Sequence, residues 1–449
     1  MSTGTLSAPT PPAPARSRRT LAACCGAHVL HDGFSDLLYV LFPVWQAAFG
    51  LSFAQVGLLK TLYSGSMAAL QVPASLLAER VGERVLLALG TLVAALGFIV
   101  SGWTAGFLGL ALCLMLSGAG ASVQHPLGSA LTSRAFEGAQ LRAALSTYNF
   151  SGDVGKVLLP ALCAALLAVL DWHAVTSLMG LLGLAAALAI WFAVPRALHQ
   201  AVAAGDVAAA AGAAASGAGA LRSAPGEPMS AGNAATSAHG VPTNERGAST
   251  SARSAPTSAR SALASPGFIS LSAIGVIDSA TRMGFLTLLP FVLIAKGATV
   301  TQVGFALSLT FAGGAAGKFF CGLIAARAGV LRTTILTELA TAAGIVALPP
   351  LSLEGSMLLL PAIGIALNGT SSVLYGTVAE LVPAARRARA FGVFYTLTIG
   401  AGAVSPSLYG LLGDAIGVPR TFAVIAAVVL LVLPLTLGLR PALRALRAG

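Results

Sequence analysis

Charged side chains are scarce in this chain of 449 residues. Asp, Glu, Lys and Arg make up 9% of it, where a soluble domain carries about 25%. So few charges cannot cover a water-facing surface. Disorder over most of the length is excluded as well, because 56% of the residues are hydrophobic and the mean hydropathy is +0.85. No Gly-x-x-x-x-Gly-Lys-[Ser/Thr] loop occurs, so no nucleotide-hydrolysing domain on this chain drives its work. There is no His-Glu-x-x-His, and His28-x-x-His31-Asp32 lacks a second histidine cluster to support it. Neither a metal nor a cofactor is expected, and the chain does not read as an enzyme. Cys24, Cys25, Cys113, Cys163 and Cys321 lie in apolar stretches without pairing or ligand spacing. They read as small buried hydrophobes.

What is present is a series of long apolar runs. They fall at about 21–46, 54–78, 85–103, 106–131, 144–169 and 173–195, and again at about 267–294, 301–325, 331–351, 356–379, 389–412 and 419–439. Crossing a bilayer as a helix takes about 20 apolar residues, and only helices and closed barrels satisfy the backbone inside lipid. The fold class is therefore all-α integral membrane, twelve transmembrane helices arranged as two six-helix repeats. Residues 1–20 are expected to be a disordered tail and 441–449 a second tail, flanking six-helix halves over 21–195 and 266–440. The segment 196–265 is built of Ala, Ser, Gly, Thr and Pro without Phe, Trp or Tyr. Such a composition cannot form a core and reads as a disordered linker. Arg18-Arg19 before an apolar run loosely resembles a twin-Arg signal, but that run carries His28, His31, Asp32 and Asp36, so no cleavage is expected.

The net charge of +11 would suggest nucleic acid in a soluble protein; here it reads as basic loops. Twenty of the 26 Lys and Arg residues fall on the N-tail, the linker, the C-tail and the loops after spans 2, 4, 8 and 10, against only Lys296 and Arg420 on the opposite loops. Basic loops stay in the cytoplasm. The expectation is a plasma-membrane (bacterial inner-membrane) protein with both termini and the linker cytoplasmic, a lipid bilayer as its surroundings and no nucleic-acid partner.

The two halves repeat at an offset of 247 residues. Pro43 matches Pro290, Gln55-Val56-Gly57 matches Gln302-Val303-Gly304, Arg80 and Gly82 match Arg327 and Gly329, and Arg142 and Tyr148 match Arg389 and Tyr395. Six spans per half give the repeats one orientation, the geometry of a parallel-repeat transporter with its site between the halves. The loop after span 2 carries Ser75-x-x-Ala78-Glu79-Arg80-x-Gly82-x-Arg84, and its repeat carries Gly322-x-x-x-x-Arg327-x-Gly329. This resembles the cytoplasmic signature of the major facilitator superfamily. A small residue would permit close helix packing, the acid would meet a basic group or a helix N-terminus, and Gly82 would permit a tight turn. These residues would belong to a cytoplasmic gate.

A narrower resemblance rests on His28-Val-Leu-His31-Asp32, Gln71-Val-Pro73, Ser122-Val-Gln-His125-Pro126, Gly152-Asp-Val-Gly155 with Pro160, and Ala379-Glu380-Leu381-Val382-Pro383. The series looks like the fosmidomycin-resistance branch of that superfamily, whose members export small drugs. His31 stands where an Asn is usual and Leu159 where a Gly is usual, and Asp153/Lys156 is a departure. The resemblance implies a drug/proton antiporter working by alternating access on a small-molecule substrate, as a monomer. A symporter of a small organic anion or sugar is the alternative on this fold, and a membrane sensor or enzyme the alternative of another class.

An ionisable residue at mid-membrane costs at least about 2.5–3.5 kcal/mol and faces a cavity or a partner. His28, Asp32 and Asp36 recur every four residues and form one stripe on span 1, with Tyr39 beside it. Asp36 lies roughly 20 Å deep. Asp32, Asp36, Asp153 and Asp278 are the candidate proton carriers; as the alternative they are silent hydrogen-bond acceptors. His28, Tyr39, His125, Lys156 and Arg282 are the candidate substrate-binding residues. Asp153/Lys156 and Asp278/Arg282 are spaced to neutralise themselves within one turn. Lys60 and Lys318 are expected to snorkel from nearer the span ends. His125 is placed to meet His28 or to cap beside Pro126.

Overall fold

The computed structural model describes residues 14–194, 265–382 and 387–448. The first half comprises α1 (Pro14–Phe49), α2 (Phe53–Val81), α3 (Glu83–Ser101), α4 (Phe107–Ala121), α5 (Gln124–Ala135), α6 (Gly138–Leu167) and α7 (Trp172–Ala193). The second comprises α8 (Pro266–Ala295), α9 (Val300–Ala328), α10 (Val330–Ala347), α11 (Leu353–Leu381), α12 (Arg387–Ile416), α13 (Val418–Leu430) and α14 (Val432–Ala448). With α4/α5 and α13/α14 each forming one broken rod, these are twelve rods in two sets of six. Among the described residues ten are long and apolar enough to cross a membrane. α1 and α2 are less apolar because they carry the polar residues described below.

The fourth rod breaks at Ser122–Val123. Pro126 has no N–H for the Ser122 carbonyl, and its ring crowds that turn. α1 begins at Pro14, inside the stretch expected as a tail, and α14 runs on to Ala448 past the expected end at 440. Pro is well placed in a first helical turn, and Arg444 sits favourably near the C-terminus of α14. The expected linker lies outside the described residues, apart from Ser265, which caps α8.

The repeated residues have repeated jobs. Ser52 with Gln55 and Thr299 with Gln302 form capping boxes that start α2 and α9, so each Gln satisfies a backbone N–H at a helix start. The glycines two positions on let the halves touch. A Cβ on Gly57 would lie 2.1 Å from the Pro406 carbonyl oxygen, and one on Gly304 would lie 2.1 Å from the Ala164 side chain. Gly82 and Gly329 adopt φ of 95° and 88° between α2 and α3 and between α9 and α10, a conformation glycine alone takes without strain. Gly322 does not have the packing role read into it: a Cβ there would meet open space.

The halves are sealed at the end where α2 and α9 begin. The Asp414 carboxylate accepts the Phe53 and Ala54 N–H groups at 2.7 and 2.9 Å, a cap from one half on a helix start of the other. Ser407 donates or accepts with Thr61 at 2.8 Å, and Ser308 donates to the Val157 carbonyl at 2.7 Å. One apolar core runs through both halves here, from Phe34 and Trp45 to Phe285 and Phe422. Towards the N-terminal end there are two separate cores instead, one around Leu87, Leu131 and Tyr148 and one around Phe268, Leu374 and Phe394. The bundle is closed at one end and split at the other.

The cross-half cap yields an expectation. In Asp414→Ala the first N–H groups of α2 lose their partner, so the closed end should open more often while the fold persists. Spin labels at Ala48 and Ala295, on the two halves at that end, should report a larger population of long distances than in the unmodified protein. An unchanged distance distribution would show that the cap does not hold the halves.

Candidate functional site

The split encloses a vestibule of about 1040 Å³, counted to its open mouth, lined by residues of both halves. From the first half come His31, Asp32, Asp36, Gln71, Gln124, His125 and Lys156; from the second come Ser279, Arg282, Tyr375 and Thr398. A smaller recess of about 420 Å³ is lined by Asp36, Asp153, Lys156, Arg282, Phe311, Lys318 and Asn368.

Asp32 is the hub of the first half. Its carboxylate meets Lys156 Nζ at 3.3 Å, His28 Nε2 at 3.4 Å and His125 Nε2 at 3.6 Å. Glycine makes the room. A Cβ on Gly152 would lie 2.6 Å from both Asp32 Oδ2 and His28 Nε2, and one on Gly155 would lie 2.0 Å from the Val29 carbonyl oxygen. The Gly152-Asp-Val-Gly155 element thus sets the close approach of α6 to α1.

The hydrogen bonds place the ring protons. His28 Nδ1 lies 2.7 Å from the Tyr148 carbonyl oxygen, which only accepts, so Nδ1 carries hydrogen. A neutral ring then turns the bare lone pair of Nε2 towards Asp32. A proton on Nε2 or on the carboxylate makes that contact a hydrogen bond. His31 Nε2 lies 2.9 Å from Thr91 Oγ1, whose own hydrogen goes to the Leu87 carbonyl at 2.8 Å. His31 Nε2 is therefore a donor, and its Nδ1 is buried without a partner. The His28 and His125 rings meet edge to face with centroids 5.2 Å apart. His28, Asp32 and His125 present atoms that all lie within 4.8 Å of one another, close enough to hold a metal ion. The Lys156 ammonium already supplies a cation to that carboxylate.

The ion pairs differ from those the spacing suggested. Asp153 and Lys156 do not neutralise each other: Lys156 turns to Asp32 on α1, and Asp153 meets Lys318 Nζ on α9 at 2.5 Å. The latter pair bridges the halves. Among the described residues no ion pair joins Asp278 to Arg282, and Arg282 Nε has no hydrogen-bond partner. Side chains three or four apart on a helix are neighbours, but a packed helix offers partners that aim more directly. Lys60 does not snorkel. It is 1% exposed, donates to Ser35 O and Oγ at 2.8 and 3.1 Å, and lies 4.6 Å from the Tyr39 ring centre. Lys318 is held by Asp153 and likewise does not reach for the interface. Tyr39 is not a vestibule residue: it is fully buried, with its hydroxyl 3.3 Å from Met283 Sδ across the halves.

At the split end, Glu79 and Arg80 are exposed. The acid that finds a base is Glu83, 2.9 Å from Arg134. Arg84 donates to the Trp191 carbonyl and stacks on its ring. The sequence reading overlooked Glu338 on α10, which is 1% exposed. The rule applied to the aspartates, that an ionisable residue within an apolar run needs a reason, would have found it.

The pairing across the halves is testable by a double-mutant cycle on thermal stability. Asp153→Asn and Lys318→Met should be coupled by about 1 kcal/mol or more, the range for groups in direct contact. Asp153→Asn and Lys156→Met should be close to additive. The reverse pattern would restore the pairing within one helix.

A family model described as "Major Facilitator Superfamily" matches residues 24–226 and 271–448. The fosmidomycin resistance protein of Escherichia coli (strain K12) is 24% identical over 185 residues, 40% of this chain and 45% of that protein. A probable L-galactonate transporter of the same organism is 26% identical over 147 residues, 33% of this chain and 32% of that protein. The chain thus spans less than half the length of these relatives. Among solved structures, a bacterial homolog of the human lysosomal transporter Spinster, inward-facing and unoccupied, superposes with a TM-score of 0.71 at 17% identity, covering 97% of this chain and 98% of that one. The nucleoside transporter NupG gives 0.71 at 10% identity, covering 94% and 99%. With two six-helix halves around a central vestibule and both halves matched by the family model, this chain belongs to the major facilitator superfamily and is a multi-pass membrane protein.

Proposed function

We propose that the protein is a proton-coupled exporter of a small anionic, drug-like compound, working by alternating access. The observation that carries this reading is the Asp32 hub. One carboxylate at the vestibule wall is shared by an ammonium and two imidazoles, and the His28 contact calls for a proton. A proton arriving at Asp32 weakens its hold on Lys156, and an anion entering the vestibule takes over the ammonium. Binding of the anion and uptake of the proton then favour each other, because each removes the same ion pair; the family likeness, and not this linkage, sets export above uptake with a proton. Lys318 and Asp153 repeat the arrangement in the recess. The twenty-to-two bias of basic residues supports cytoplasmic termini in a bacterial inner membrane, which makes the split end the cytoplasmic mouth. Glu79 and Arg80 would then meet the opposite half only when that mouth closes. The likeness to a fosmidomycin resistance protein supports a phosphonate-type cargo.

A second reading has one observation in its favour. A relative is named as a probable L-galactonate transporter, and uptake of a small organic anion with a proton uses the same vestibule chemistry. Direction separates the two: a counter-directed proton gradient should drive export, and a co-directed one uptake.

Two outcomes are expected. In proteoliposomes, Asp32→Asn should abolish gradient-driven accumulation of substrate while leaving downhill exchange measurable; full accumulation in that variant would move the proton elsewhere. In cells, overexpression should raise resistance to fosmidomycin more than to lipophilic cations. Protection against the cations alone would reverse the charge assignment.

A further inference from the structure

Asp36, Lys156 and Arg282 line both the vestibule and the smaller recess beside it, so they stand where one cavity passes into the other. Asp36 continues the polar stripe of α1, one turn beyond Asp32. Arg282 shares a face of α8 with Ser279, Met283 and Leu286, all of which line one or both cavities. α1 and α8 meet just beyond these two charges. Tyr39, three residues after Asp36, donates its hydroxyl at 3.3 Å to Sδ of Met283, the residue after Arg282. Asp36 and Arg282 therefore belong to opposite halves and border the same seam.

Five charged side chains line the recess. Lys156 is paired with Asp32 and Lys318 with Asp153, which leaves Asp36 and Arg282. Asp36 is 7% exposed. Among the described residues neither its carboxylate nor the Arg282 guanidinium has a hydrogen-bond or ion-pair partner, and Arg282 Nε is shut off from solvent. The rest of the lining includes the apolar side chains of Met283, Leu286 and Phe311. The recess, at about 420 Å³, thus presents one unpaired charge of each sign, on opposite halves, beside an apolar patch.

A charge taken out of water without a partner is costly, so a ligand that supplies both missing partners gains at both ends. A plain anion would balance Arg282 but face the Asp36 carboxylate. A plain cation would balance Asp36 but face Arg282, Lys156 and Lys318. We infer that Asp36 and Arg282 are the two poles of the substrate site, which takes an amphoteric small molecule: its anionic end on Arg282, its ammonium or other hydrogen-bond donor on Asp36, and its carbon chain against Met283 and Phe311. The poles stand on α1 and α8, so the bound molecule bridges the two halves. The inference rests on the anion-transport reading for the anionic end; the donor required at the other end is additional to it.

The experiment separates the two. Calorimetric titration of the full-length protein in lipid nanodiscs compares three probes built on the same carbon chain: propylphosphonate, 3-aminopropylphosphonate and propylammonium. The amphoteric probe should bind at least about tenfold more tightly than either single-ended one, because a site with a polar group left unpaired discriminates strongly against the ligand that leaves it so. Asp36→Ala should remove its advantage over propylphosphonate; should that variant fail to purify, Asp36→Asn must reduce the same advantage. Arg282→Gln should remove its advantage over propylammonium, and Arg282→Lys should keep part of it. Equal affinity for propylphosphonate and its amino derivative, or a preference unchanged by substitution at Asp36, overturns the two-pole site and leaves the anion reading standing. Failure of all three probes to bind overturns the site as well. An Asp36-dependent preference for the amphoteric probe in a protein that does not bind fosmidomycin overturns the phosphonate-drug reading and leaves the two poles standing.

Discussion

A charge inside a membrane-spanning bundle must find a partner, and the arrangement of this transporter's vestibule follows from that requirement. Asp32 collects Lys156, His28 and His125; Asp153 collects Lys318; Lys60 is wrapped by Ser35, Tyr39 and Tyr63. Each grouping brings distinct helices together, so the pairings that make the charges tolerable also position the helices. They leave Lys156 and Lys318 paired with carboxylates, while Arg282 on the vestibule wall makes no ion pair among the described residues.

Closure of the opposite end has a different basis. Glycine at 57 and 304 removes the side chain where α2 meets α12 and α9 meets α6. Capping boxes two residues earlier fix where α2 and α9 begin. The Gly57 contact reaches the Pro406 backbone and the Gly304 contact the Ala164 side chain, and both are short in reach. Asp153–Lys318 is an ion pair across the halves and lines the recess beside the vestibule.

Much of the architecture was legible in the chain itself. The apolar runs gave the rods, because a bilayer leaves the backbone only its own carbonyls to bond. The 247-residue repeat gave the two halves, and the stripe of His28, Asp32 and Asp36 gave the polar face of α1. Local spacing misled where charge was concerned. Asp153 and Lys156 are one turn apart, yet each is drawn to another helix. Gly322 fits a motif and packs against nothing. Glu338 stands as a single acid among threonines in an otherwise ordinary apolar span, and the sequence alone shows no partner for it.

By itself the sequence determined how many rods there are, which are related and which carry polar groups. These properties depend on each segment alone, through its hydropathy, its caps and its turn glycines. Only the tertiary structure decided which carboxylate holds which cation, that His28 and His125 share Asp32, and that Tyr39 is buried between the halves rather than open to the vestibule. A side chain bonds to whatever lies within about 3–4 Å, and in a bundle of tilted helices those neighbours come from segments tens or hundreds of residues away.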